Sequence, residues 1–292
     1  MVKFLLLSFL LNAVSYAQVI HPELPPELIN APYPVSRYFR SIPIEEAHSS
    51  RGMARYQLLD KEHIDILVWN VQKIKQKQWS EEFKNFSENK DLILLQEAYE
   101  NEQFIEHTAQ LIDHRWDFAK SFEYLLYGVT TGNMIGANTQ PKNVTVLHSP
   151  DKEPILETPK ATMATFYPLA NRSDTLLVIS IHGINFTTNQ AFYRQLNQIF
   201  TLIDDHQGPV IFAGDFNTHN KKRLRFLEKA AKKRQLTNLE FKNSHLRKKF
   251  SGNILDYTYA RDVEVKESYI PAQSKGSDHP PMILSVRIKD QE

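Results

Sequence analysis

Val210-Ile211-Phe212-Ala213-Gly214-Asp215-Phe216-Asn217 runs four apolar residues into a glycine, an acid and an amide. A short, unbroken apolar run reads as a strand covered on both faces, because a half-exposed strand would alternate apolar with polar residues. Asp215 and Asn217 stand where that strand ends. The arrangement recurs along the chain. Asp65 to Trp69 runs into Asn70, Leu92 to Leu95 into Gln96-Glu97, and Leu176 to Ile181 into His182 with Asn185 close behind; Ser277-Asp278-His279 stands before Met282 to Ile288. If these strands lie in register in packed sheets, their polar ends converge on one rim, the usual place for a ligand site in α/β folds.

Working outward, strands are expected at Asp65–Trp69, Leu92–Gln96, Ala161–Tyr167, Leu176–Ile181, Val210–Ala213, Leu255–Tyr259 and Met282–Ile288. Between them, Phe192, Leu196, Ile199, Phe200 and Ile203 recur at helical spacing. They mark a helix over Asn189–Asp205, with Thr188 to cap its start and Gly208-Pro209 to stop it. Phe122 to Gly128 is apolar and aromatic, which suits a buried strand better than a segment that dips into lipid. Residues 61–292 form one α/β (α+β) domain. Before them, six of the fifteen prolines fall between His21 and Pro43. Fixed φ and missing N–H groups disfavour helix and central strand, so residues 18–60 read as an extended, proline-rich arm. Residues 1–17 carry one lysine, an apolar run from Phe4 to Leu11 and small residues ending at Ala17, the pattern of a cleaved signal peptide; export to the periplasm or the medium is expected.

The 292 residues are 41% hydrophobic and 24% charged, with no cysteine and a formal charge of +1. Disulfide scaffolds and disordered chains are excluded, and no whole-molecule field draws the chain toward polyanions. Thiol chemistry is absent, and no serine adjoins a base at a strand end. Carboxylates, amides and two histidines remain. Carboxylate oxygens suit Mg²⁺ or Mn²⁺, histidine moves protons near neutrality, and amides hold phosphoryl oxygens without adding charge. Together they suit metal-assisted attack of water on a phosphate ester.

In this order, Asn70, Leu94-Leu95-Gln96-Glu97, His182 with Asn185, Gly214 to Asn217, Leu255-Asp256-Tyr257 and Ser277-Asp278-His279 resemble the motifs of the endonuclease/exonuclease/phosphatase superfamily. The resemblance spans about Ile64 to Ile288 and is nearest to a little-characterised exported bacterial branch. It implies a DNase I-like four-layer sandwich, two packed β-sheets flanked by helices. It also implies that Glu97 ligates Mg²⁺ with help from Asn70 and Asp278, and that His279, paired with Asp278, is the general base. Asp215 would position or deprotonate the attacking water, Asn217 would hold the phosphate, and His182, supported by Asn185, would bond a non-bridging oxygen. Asp256 would keep a catalytic histidine in one tautomer. The chain departs from the pattern after Asn70, where a further acid is common and Val71-Gln72-Lys73 stands instead; Lys73 is a candidate contact for a substrate phosphate.

Lys221 to Lys249 holds twelve basic residues against Glu228 and Glu240. Following Asp215-Phe216-Asn217 directly, it suits phosphates along a polymer, although Leu224, Phe226, Leu227 and Ala230 would equally give it the apolar side of an ordinary solvated helix. Nucleic acid is favoured as substrate over phospholipid or inositol phosphate. A catalytically silent binding module of the same fold is the other alternative.

Overall fold

The computed structural model describes residues 35–154 and 156–290. The expected signal peptide and residues 18–34 of the arm lie outside the described residues. Six strands come first: β1 (Phe39–Ser41), β2 (His48–Gly52), β3 (Ile64–Asn70), β4 (Leu92–Tyr99), β5 (Arg115–Tyr124) and β6 (Val129–Ala137). A second sheet follows with β7 (Asn143–His148), β8 (Ala161–Pro168), β9 (Thr175–His182), β10 (Val210–Asp215), β11 (Thr237–Asn238) and β14 (Asp256–Arg261). A small ribbon, β12 (Lys249–Phe250) with β13 (Asn253–Ile254), precedes β14; β15 (Val263–Tyr269) and β16 (Met282–Ile288) return to the first sheet. The sheet orders are β1-β5-β6-β4-β3-β16-β15, with β2 also on β5, and β11-β14-β10-β9-β8-β7. Four α-helices complete the described chain: α1 (Trp79–Ser87), α2 (Glu102–Ala109), α3 (Asn189–Asp204) and α4 (Lys221–Lys232).

The unbroken apolar strands are explained by burial on both faces. In β3, Ile64, Ile66 and Val68 enter the core between the sheets, whereas Leu67 and Trp69 pack outward on Trp79 of α1 and Phe104 of α2. In β9, Leu176 and Val178 face the other sheet, while Leu177, Ile179 and Ile181 meet Phe192, Leu196 and Leu227 of α3 and α4. The layers are therefore helix, sheet, sheet, helix. All seven expected strands are present within two or three residues at each end, and α3 starts where Thr188 Oγ1 accepts Ala191 N–H at 3.3 Å.

Two expectations need correction. The domain does not begin at residue 61: within the expected arm, β1 and β2 pair antiparallel with β5, and Arg51 bonds Glu100 at 2.7 Å. The alternation in His48-Ser49-Ser50-Arg51-Gly52 carries no large apolar side chain, so nothing in the sequence marked it as a strand. Phe122 to Gly128 is neither wholly buried nor one strand. Phe122 is buried, but Leu125, Leu126 and Tyr127 form the exposed tip of the β5–β6 hairpin.

Candidate active site

Strand direction brings the polar ends together. β3 and β4 are parallel, with Asn70 beside Gln96; β9 and β10 are parallel, with His182 beside Asp215. β14 runs antiparallel to β10, so its first residue, Asp256, lies opposite Asp215. β16 is antiparallel to β3, which leaves the preceding Ser277-Asp278-His279 at the same rim. Ser277 Oγ donates to Asn70 O at 2.7 Å and Trp69 Nε1 to His279 O at 2.7 Å, fixing that loop on the end of β3.

Glu97 reaches the rim through a break in register between Leu95 and Ala98, with φ at 53°. A bulge of this kind turns a side chain out of the pleat, and a left-handed conformation at a non-glycine residue is characteristic of functional sites. Gly214 has φ 133°, and a Cβ there would lie 2.2 Å from Ile181 O, so β9 and β10 can approach only with glycine at this position.

Around Asn70 the polar groups meet. Its Nδ2 lies 3.4 Å from Glu97 Oε1 and donates to Asp215 Oδ2 at 3.1 Å. His182 Nε2 lies 3.8 Å from the same two oxygens. Asn217 N–H donates to Asp215 Oδ1 at 2.9 Å, and its Nδ2 to Gly183 O at 2.8 Å, which binds the two strand ends. His279 Nδ1 is shared by both oxygens of Asp256 at 3.0 Å. Asp215, Asp256 and His279 are buried, with their ligand atoms within 4.8 Å of one another.

The charges follow from these neighbours. Burial by itself would depress the His279 imidazole, but Asp256 and Asp215 raise it above the ordinary histidine value. Burial raises Asp215, with His279 opposing. Burial would also raise Glu97, yet nearby ammonium groups, Lys73 foremost, outweigh it and hold the carboxyl well below its ordinary value. Burial and Lys160 keep His182 well below its ordinary value, hence neutral.

Seven of the expected residues converge: Asn70, Glu97, His182, Asp215, Asn217, Asp256 and His279. Three do otherwise. Asp278 is not the partner of the His279 ring; its Oδ2 takes Lys248 Nζ at 2.6 Å, because the loop turns its side chain toward the β12–β13 ribbon. Asn185 bonds Glu153 through its N–H and Phe186 through Oδ1, and makes no hydrogen bond to the cluster. Lys73 Nζ pairs with Glu97 Oε2, in a turn where Gln72, Lys73 and Ile74 all have positive φ. Lys160 was not foreseen. It sits just before β8, held by Glu153 at 3.3 Å, with no motif to mark it.

The oxygen donors suit a hard divalent cation: Glu97 Oε1 and Asp215 Oδ2 both lie within 3.4 Å of the Asn70 amide nitrogen. The Lys73 ammonium covers the other Glu97 oxygen. Among the described residues no helix is long and apolar enough to cross a membrane.

Comparison with known proteins agrees with this geometry. A model described as Endonuclease/Exonuclease/phosphatase family matches residues 67–279. A UPF0294 protein of Vibrio campbellii is 34% identical over 237 residues, covering 80% of this chain and 82% of its own. Among solved structures, an endonuclease/exonuclease/phosphatase from Beutenbergia cavernae superposes with TM-score 0.62 at 13% identity, over 78% of this chain and 72% of that one. The human Nocturnin catalytic domain, with bound sulfate, reaches 0.56 at 14% identity, over 86% and 100%.

Proposed function

This chain belongs to the endonuclease/exonuclease/phosphatase family, whose members in general hydrolyse phosphate esters, and on that footing we propose that it is a divalent-metal-dependent phosphodiesterase acting on nucleic acid. The carrying observation is the convergence of Asn70, Glu97, His182, Asp215, Asn217 and the Asp256–His279 pair at one rim, from strands of both sheets. Folding alone does not require these groups to meet, and gathering three carboxylates at one rim costs stability that a function would account for.

Glu97 and Asn70 would hold Mg²⁺ or Mn²⁺, which supplies positive charge against the phosphoryl and leaving oxygens. The chain's own groups do the rest. Asn70 and Asn217 hold Asp215 with one oxygen bonded on each side, which orients it toward an attacking water. Water forms the new P–O bond as the ester P–O bond breaks, and Asp215 takes the water proton. An imidazole held by one carboxylate and faced by a second is kept cationic. His279 therefore serves as donor to the developing negative charge, and the role of base that the resemblance implies for it passes to Asp215. Neutral His182 donates to a non-bridging oxygen.

Nucleic acid is favoured by the cations that remain exposed in the basic segment: Lys221, Lys222, Arg225, Lys229, Lys232, Lys233, Lys242 and Lys249. The exposed tip Leu125-Leu126-Tyr127 favours a second reading, a phospholipid or inositol-phosphate hydrolase. Residues 1–17 would export the chain and be removed.

The test is cleavage of supercoiled plasmid by the chain from Gln18 with Mg²⁺, beside EDTA and Glu97→Ala controls. Cleavage lost in both controls is expected. Inert plasmid with turnover of a phospholipid or inositol phosphate would favour the second reading, and turnover of neither would support a silent binding module.

A further inference from the structure

The β12–β13 ribbon just before Asp256 is short but firmly based. Thr218 Oγ1 donates to Ile254 O at 2.7 Å, Asn253 Nδ2 to His219 O at 3.1 Å, and Lys248 Nζ to Asp278 Oδ2 at 2.6 Å. The ribbon is thus tied to the loop after Asn217 and to the loop before His279, the two sides of the rim. It turns through Ser251 and Gly252, with φ of 48° and 79°.

On this ribbon Phe250 is 46% exposed. Its ring meets the His219 ring edge to face, with centroids 6.2 Å apart. Lys249 on the ribbon and Lys221 and Lys222 at the start of α4 are exposed, and, unlike Lys248, none of the three has an ion pair among the described residues. An aromatic face among unpaired ammonium groups, beside a site for phosphate esters, matches the chemistry of one class of ligand. A nucleobase offers a ring to stack and its neighbouring phosphates offer charge. A phospholipid headgroup or an inositol phosphate has the charge without the ring.

We propose that Phe250, backed by His219, is a stacking platform for an unpaired nucleobase, with Lys221, Lys222 and Lys249 holding the flanking phosphates, so that the substrate is single-stranded nucleic acid. This rests on the nuclease reading and names its substrate class. In a duplex the base faces are already stacked on each other and cannot reach Phe250.

Fluorescence anisotropy of a labelled single-stranded oligonucleotide and of its duplex, in EDTA to prevent cleavage, tests it. The full chain is expected to bind the single strand about tenfold tighter. Phe250→Ala and Phe250→Leu should each lose about tenfold on the single strand and little on the duplex, and Phe250→Tyr should restore it. Replacing Lys221, Lys222 and Lys249 by Gln should weaken both and flatten the salt dependence. Phe250→Leu binding as well as the parent would overturn stacking. Loss of binding to phosphatidylglycerol vesicles in Phe250→Ala, with oligonucleotide binding unchanged, would overturn it in favour of lipid. Hydrolysis of bis(p-nitrophenyl) phosphate by the parent protein separates the two readings: its absence would remove the phosphodiesterase reading while leaving the binding result standing.

Discussion

At Glu97 two positive charges, one fixed and one exchangeable, contend for a single carboxylate. The Lys73 ammonium lies on Oε2, where an incoming divalent cation would also draw strength. Lys73→Met is therefore expected to tighten Mn²⁺ binding about tenfold, measured by isothermal titration; weaker binding would mean that the lysine orients Glu97 for the metal instead. At Asp256 the geometry gives the opposite kind of dependence. Both of its oxygens hold His279 Nδ1, so Asp256→Asn should cut turnover by about 10²-fold or more with little change in KM, and turnover at the parent rate would remove His279 from the chemistry. Most of these residues were legible beforehand, because each closes an apolar run that marks its own strand end. The partners were not: Asp256 and Asp278 both lie near His279 in order of motif, and only the turn of the Ser277–Pro280 loop decides which faces the ring.

Among the elements, α4 shows how composition misleads. Its charge reads as a surface for polyanions, yet Arg223 is fully buried. It donates to Ile184 O at 2.6 Å, Asn217 O at 3.1 Å and Thr187 O at 3.1 Å, with its guanidinium 4.7 Å from the Phe192 ring. The helix thereby clamps the loops that follow His182 and Asp215. Arg223→Met leaves those carbonyls without donors and should lower stability by about 2–4 kcal/mol in urea unfolding, whereas Lys229→Ala on the exposed face should change it by less than about 0.5 kcal/mol. Arg247 is likewise buried, donating to Asp256 O at 3.1 Å. Periodicity separates the apolar side of a helix from the polar one; it does not show which arginine lies at the boundary and turns inward. The edge strands β1 and β2 escaped for a related reason, since both pair with β5, far along the chain.

For the molecule as a whole, the domain begins earlier than its proline-rich prelude suggests. Starting the chain at Lys61 would strip β1 and β2 from β5 and uncover an open sheet edge with Phe122 beside it. Such a chain is expected to unfold at lower urea and to aggregate, whereas one starting at Gln18 should not; equal midpoints would make residues 35–60 dispensable. Two histidines outside the rim contribute to the acid limit. Burial lowers His114, whose Nε2 faces Lys90 O at 2.8 Å while Nδ1 has no partner, and burial and Arg223 bring His219 to about 4. With the folded value below the unfolded one, the unfolded chain takes the proton first. Stability should therefore fall as pH drops below 6.5, and His114→Gln should make melting curves between pH ~7.5 and ~5 less steep in pH.

The pairing of β3 with β16 carries one more consequence, in time rather than in space. Ile66 lies beside Leu284, and the Trp69 indole is bonded to His279 O. The first polar residue of the rim and its last are thus neighbours supplied by widely separated parts of the sequence. A ribosome must release β16 before the central strands can register, so contacts that complete the rim form late. A growing chain that has not yet supplied Ser277 to His279 and the strand after them therefore carries an incomplete rim, and the polar cluster closes only when β16 pairs with β3.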